Sequence, residues 1–143
     1  MKTKFIYPAV FEPEEVGGYS VSFPDLPGCF TEGDTLEDAF DMARDALGLY
    51  LAVLEDEGQT IPAASFPSDI RPVDKAFVAM VDMDMLEYKQ RHDNRAVKKT
   101  LTIPQWLNTM AEREGVNFSQ ELQSALKKRL GVHDYRRTTS KKI

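Results

Sequence analysis

The chain has 143 residues, 42% hydrophobic and 29% charged, with a formal net charge of −5. That length holds one domain or two small ones, and no apolar run is long enough to span a membrane. Cys29 is the single cysteine, which excludes an intrachain disulfide, and no signal-type apolar segment opens the sequence, so the cytoplasm is the expected compartment.

In chain order, residues 4–12 read as a strand, with Phe5, Tyr7, Ala9 and Phe11 alternating with Ile6, Pro8 and Val10. Pro8 points to an edge position or a bulge. A turn at residues 13–18 leads to a second strand in which Tyr19, Val21 and Phe23 alternate with Ser20 and Ser22. The two form a hairpin. The rigid loop Pro24-Asp25-Leu26-Pro27-Gly28 precedes a short third strand, Cys29 to Glu32.

Thr35 opens the longest helix, with Asp38 at capping-box spacing. Its apolar stripe runs through Leu36, Ala39, Phe40, Ala43, Leu47, Tyr50, Leu51 and Leu54, and Gly58 ends it. A proline-rich loop follows. Residues 75–83 are apolar on both faces, which reads as a more central strand. Residues 86–95 are polar and read as a linker, with a helical turn at most.

Residues 96–103 then alternate again. Val97, Leu101 and Ile103 fall on one face, interrupted by Lys99, and Lys98, Thr100 and Thr102 fall on the other. A lone strand needs a partner for its backbone donors and acceptors, and the simplest is the same strand of a second chain. The resulting two-stranded ribbon fits a DNA major groove, with Lys98, Thr100 and Thr102 toward the bases.

Pro104 suits a first helical position, and Trp106, Leu107, Met110 and Ala111 recur at helical spacing up to Gly115. Asn117 and Gln120 make a second cap signature, followed by the stripe Phe118, Leu122, Ala125, Leu126 and Leu130, and Gly131 ends it. The backbone N–H groups around Asn117, Phe118 and Ser119 are placed to hold a phosphate. Neither helix is long enough to stand alone in water. The inferred dimer core is Val97, Leu101, Ile103, Trp106, Leu107, Met110, Phe118, Leu122 and Leu126. Residues 132–143 read as a basic, disordered tail.

Charge follows the same division. Residues 1–94 hold 7 Lys/Arg against 19 Asp/Glu, a net of −12, whereas residues 95–143 hold 11 against 4, a net of +7. The basic part suits nucleic acid and the acidic part does not. The fold class is therefore α+β: a β-β-β-α-β two-layer domain over 1–85, a linker over 86–95 and a β-α-α dimerisation domain over 96–131.

The TLTIP segment, the helix, Gly115-x-Asn117-x-Ser119 and the second helix resemble the ribbon-helix-helix DNA-binding fold. Residues 17–47, with Gly18-Tyr19, Phe23-Pro24-Asp25-Leu26-Pro27-Gly28-Cys29, Gly33-Asp34-Thr35 and the Ala39/Ala43 helix, resemble the N-terminal domain of the HicB antitoxin family. The resemblance implies a partial RNase-H-like domain that binds and blocks a small basic ribonuclease toxin (HicA-like). It also implies a complex that represses its own operon by binding operator DNA as a homodimer or a higher assembly. The motif itself looks structural and carries over no toxin-contact residue, so contact is assigned only to the acidic surface of the first domain.

Two alternatives stand beside this. One is a ribbon-helix-helix regulator that senses a ligand and has no toxin partner. The other is a metal-dependent nuclease using Asp25, Glu32, Asp34, Glu37, Asp38 or Asp41, with Glu37 and Asp41 on one helical face and Asp82 and Asp84 at the end of a strand. The expectation is no enzyme and no cofactor. Cys29 reads as a small buried hydrophobe, His92 and His133 as exposed, and no paired-Cys or paired-His metal spacing exists.

Overall fold

The computed structural model describes residues 2–134. The chain forms two compact units, Met1–His92 and Asp93–Ile143. In the first, β1 (Lys4–Pro13), β2 (Tyr19–Ser22), β3 (Phe30–Gly33) and β4 (Phe77–Asp84) form one antiparallel sheet in the order β3-β2-β1-β4. The helix α1 (Leu36–Asp56) lies on one face of it. The α+β class and the β-β-β-α-β order are as the sequence patterns indicate.

Alternation decides which face is buried. Tyr7, Ala9, Phe11, Val21, Val81 and Met83 point into the core, where Ala39, Ala43, Leu47 and Leu51 of α1 meet them. Phe11 is fully buried and stacks on Phe40 at 4.5 Å and on Phe77 at 5.4 Å between ring centroids. Thr35 caps α1: its Oγ1 accepts the Asp38 N–H at 3.1 Å, and Glu37 and Asp38 meet the positive helix end.

Three local expectations change. Pro8 lies on an interior strand, yet β2 begins to pair with β1 only at Val10, so no neighbour on that side needs its missing N–H. β4 is an edge strand and not a central one. It looked central because Val78 and Met80, on the face away from α1, are apolar too.

The expected linker opens as a helix, α2 (Met85–His92), which belongs to the first unit and moves the boundary from 85 to 92. Its anchors are Met85, which is buried, and Tyr88. The Tyr88 ring occupies the place a side chain at Gly48 would take, since a Cβ there would fall 2.3 Å from Tyr88 Cδ2. Lys89 pairs with Glu55 at 2.8 Å, and the His92 ring lies over Tyr88 at 4.4 Å with its Nε2 4.0 Å from Asp45. Tyr88 is buried enough, and close enough to Asp45, to raise its pKa.

In the second unit, residues 93–104 are in no helix or strand. The helices α3 (Gln105–Arg113) and α4 (Phe118–Leu130) follow. Pro104 caps α3 from outside rather than occupying its first position. Gly115 and Gly131 end the two helices in the left-handed region, at φ +66° and +67°. The expected basic tail lies largely outside the described residues.

Candidate functional site

The inferred groove-facing residues Lys98, Thr100 and Thr102 are all exposed, in a segment that pairs with no strand of its own subunit among the described residues. The expected strand over 96–103 is therefore not present within one chain. The expected ribbon pairs this segment with its copy in a second chain, so within one chain its ladder donors and acceptors have no strand to meet. Asn117 caps α4, its Oδ1 accepting the Gln120 N–H at 3.1 Å. The N–H groups of Phe118 and Ser119 open that helix, and the Ser119 hydroxyl accepts a bond from Gln123 at 3.1 Å.

Neither α3 nor α4 contains a buried residue. Val97 is 81% exposed, Leu101 60% and Trp106 65%. Ile103, Leu107, Met110, Phe118 and Leu126 are also exposed, and Leu122 is half-buried. Most of the apolar stripe of this unit is therefore uncovered in the single chain, a surface of the kind that partners cover.

In the first unit, the acids considered for metal binding do not converge. Among the described residues no group of three or more His, Cys, Asp or Glu is placed to hold a metal ion. Asp82 instead pairs with Arg44 at 3.3 Å. Asp25 accepts from the Ser65 N–H at 2.9 Å and from its hydroxyl, and Tyr7 donates to the Pro62 carbonyl, so both tie down the loop that follows α1. Burial and the neighbouring Asp25 charge push the Tyr7 pKa up.

Cys29 is 5% exposed, its Sγ 3.7 Å from the Ala46 carbonyl, and burial raises its thiol to about 11. Iodoacetamide at pH 8 should therefore label it slowly in the native chain and quickly in denaturant, as followed by mass spectrometry. Equal rates in the two states would contradict its burial. The sign for stability follows from linkage. The folded thiol keeps its proton longer than the unfolded one, so this contribution is full below about pH 9 and is lost as pH rises toward about 11.

The surface that alternation did not flag is the face of the sheet away from α1. The register sets its side chains in rows. One row is Phe30, Ser22, Val10 and Val78, the next on one side is Glu32, Ser20 and Glu12, and on the other side Pro8 lies beside Met80. Phe30 is 72% exposed and Ile6 52%. A shallow groove of about 670 Å³ lies at the β2–β3 side of the sheet, lined by Val10, Glu12, Phe30 and Glu32 of this face and also by Val21 and Thr31 and by Met42 of α1. The available signal was the double-sided apolarity of residues 4–12 and 75–83.

Fold and charge define a two-unit α+β protein, one unit acidic and one basic, each with an uncovered apolar surface. Residues 7–126 match the family described as HicB_like antitoxin of bacterial toxin-antitoxin system, and the chain belongs to that family. It is 48% identical over 56 residues to Antitoxin HicB 1 of Photorhabdus laumondii, a stretch covering 39% of this chain and 36% of that protein. It is 37% identical over 59 residues to Antitoxin HicB of Escherichia coli, covering 41% and 43%. The matches thus span less than half the length of these curated relatives. In three dimensions it resembles a chain of a toxin-antitoxin complex from Streptococcus pneumoniae, with a TM-score of 0.59, 28% identity, and coverage of 88% of this chain and 99% of that one.

Proposed function

We propose that this antitoxin blocks a small basic ribonuclease of the HicA type with its first unit, and represses its own operon with its second. Residues 96–131 of two copies would join as a ribbon-helix-helix dimer, each lending the other the strand around position 100. The uncovered apolar set of the second unit, from Val97 to Leu126, is the observation that carries this reading. The charge division supports it. The first unit holds 7 Lys/Arg against 18 Asp/Glu, net −11, and the second 11 against 5, net +6. A toxin that grips RNA phosphates is basic, and an acidic unit attracts it with a fast, salt-sensitive encounter. No catalytic step and no cofactor belong to this role, and its compartment is the cytoplasm.

Two-fold symmetry of the dimer implies two-fold symmetry of the operator, and pairs of dimers would occupy adjacent half-sites. Lys98, Thr100 and Thr102 read base edges, and the start of α4 at Asn117, Phe118 and Ser119 holds a phosphate. In a gel-shift titration, Thr100→Ala with Thr102→Ala should weaken operator binding by about tenfold or more, at ~1 kcal/mol or more per lost base contact. Inhibition of the toxin's RNA cleavage should be unchanged, and loss of both activities together would contradict the division of labour. Wild-type operator affinity should fall steeply with salt.

A further inference from the structure

We propose that the β2–β3 side of the sheet face opposite the buried side of α1, centred on Phe30 and bordered by Glu12 and Glu32, is the surface on which the basic toxin docks. There it receives an arginine or lysine side chain of the toxin. The inference rests on the antitoxin reading above and selects one surface of the acidic unit for it.

Two features set this face apart from the acidic outer side of α1. The first is an exposed aromatic anchor, Phe30, in the same row as Val10 and Val78. Ile6, Val10, Val78 and Met80 adjoin on β1 and β4, and Phe30 stands in the row of Val10 beyond Ser22, where Met42 of α1 also reaches the groove. The outer side of α1 carries Glu37, Asp38, Asp41 and Asp45 with Met42, Leu49 and Val53 exposed among them, but no aromatic side chain of α1 is exposed as Phe30 is. Binding energy concentrates where an apolar anchor is desolvated, and charge alone mainly raises the rate of encounter.

The second feature is the placement of charge. Glu12 and Glu32 flank Ser20 in one row, each about 5 Å from it across the strands. Neither has an ion-pair partner among the described residues. The Phe30 ring lies one row away, two residues from Glu32 on the same strand. A cationic side chain lying in the groove would run its aliphatic stem over Val10 and the Phe30 ring and bring its head group toward the two carboxylates. Arginine fits best, because its planar fork stacks on an aromatic face and bonds a carboxylate in two places.

The test uses the full-length chain and the purified toxin from the neighbouring reading frame, by titration calorimetry and by inhibition of RNA cleavage. Phe30→Ala should weaken binding by about tenfold or more, and Glu12→Lys with Glu32→Lys by about a hundredfold or more, as for anchor and charge-pair losses at an interface. Glu37→Lys with Asp41→Lys should change affinity by less than about threefold beyond its effect on the association rate. All three side-chain sites are solvent-facing, and thermal unfolding of each variant confirms that it is folded. Wild-type binding that survives the sheet-face changes but is lost with the α1 changes would overturn the surface while leaving the antitoxin reading intact. Absence of wild-type binding at low salt would overturn both.

Discussion

Leu101→Asp is expected to convert the protein from a dimer to a monomer at micromolar concentration, as measured by sedimentation. Leu101 is exposed in the single chain, so the change places no charge inside a folded subunit. In the proposed ribbon the position is inward and meets its own symmetry mate or close neighbours. Two carboxylates would then be buried together without a cation. Desolvation costs several kcal/mol for each ion, and each 1.4 kcal/mol is about a tenfold loss of affinity, so dimerisation weakens by about a thousandfold or more. Operator binding falls with it. Unfolding of the first unit and inhibition of the toxin should be unaffected. A normal dimer would show that Leu101 faces solvent in the assembly, which would reverse the register and exchange the roles of the Thr100/Thr102 and Leu101/Ile103 sets.

Gly33→Ala should be the most damaging single-methyl addition in the first unit. A Cβ at Gly33 would lie 2.4 Å from the Ala39 nitrogen and 2.6 Å from its Cα. Both are backbone atoms of α1, so no side-chain rotation relieves the contact, and β3 and the helix must part. Overpacking of this kind costs about 1–3 kcal/mol and occasionally more, and the rigid neighbour puts Gly33 at or above the upper end. Chemical denaturation would measure the loss. Thr35→Ala, two residues on, removes only the cap and should cost ~1 kcal/mol. If the two variants were equally stable, the close approach of β3 to α1 would be wrong.

These neighbouring positions show what the sequence made legible. In the Gly33-Asp34-Thr35 motif Thr35 was readable because a cap is a local duty, whereas the role of Gly33, contact with Ala39 six residues on, shows only in the packing of β3 against α1. The hairpin and α1 were readable for a local reason too, since one buried face imposes a period on its own residues. The edge position of β4 was not readable. Val78 and Met80 are apolar, and period alone cannot separate a face buried in the subunit from one left uncovered. The α2 helix was missed because it buries little beyond Met85 and part of Tyr88, and the notch that receives it is Gly48, 40 residues earlier. The sheet-face surface went unflagged because its members lie on separate strands and only the register brings Phe30, Val10 and Val78 into one row.

The ion pair between Arg44 and Asp82 has a consequence for solubility. β4 is an eight-residue edge strand rich in apolar side chains, without proline or lysine. Such margins template runaway stacking of one molecule on another. Asp82 points away from the helix layer and Arg44 comes from it, so their 3.3 Å contact passes around the outer rim of the sheet. Two hydrated charges at that margin disfavour the addition of another chain's backbone there.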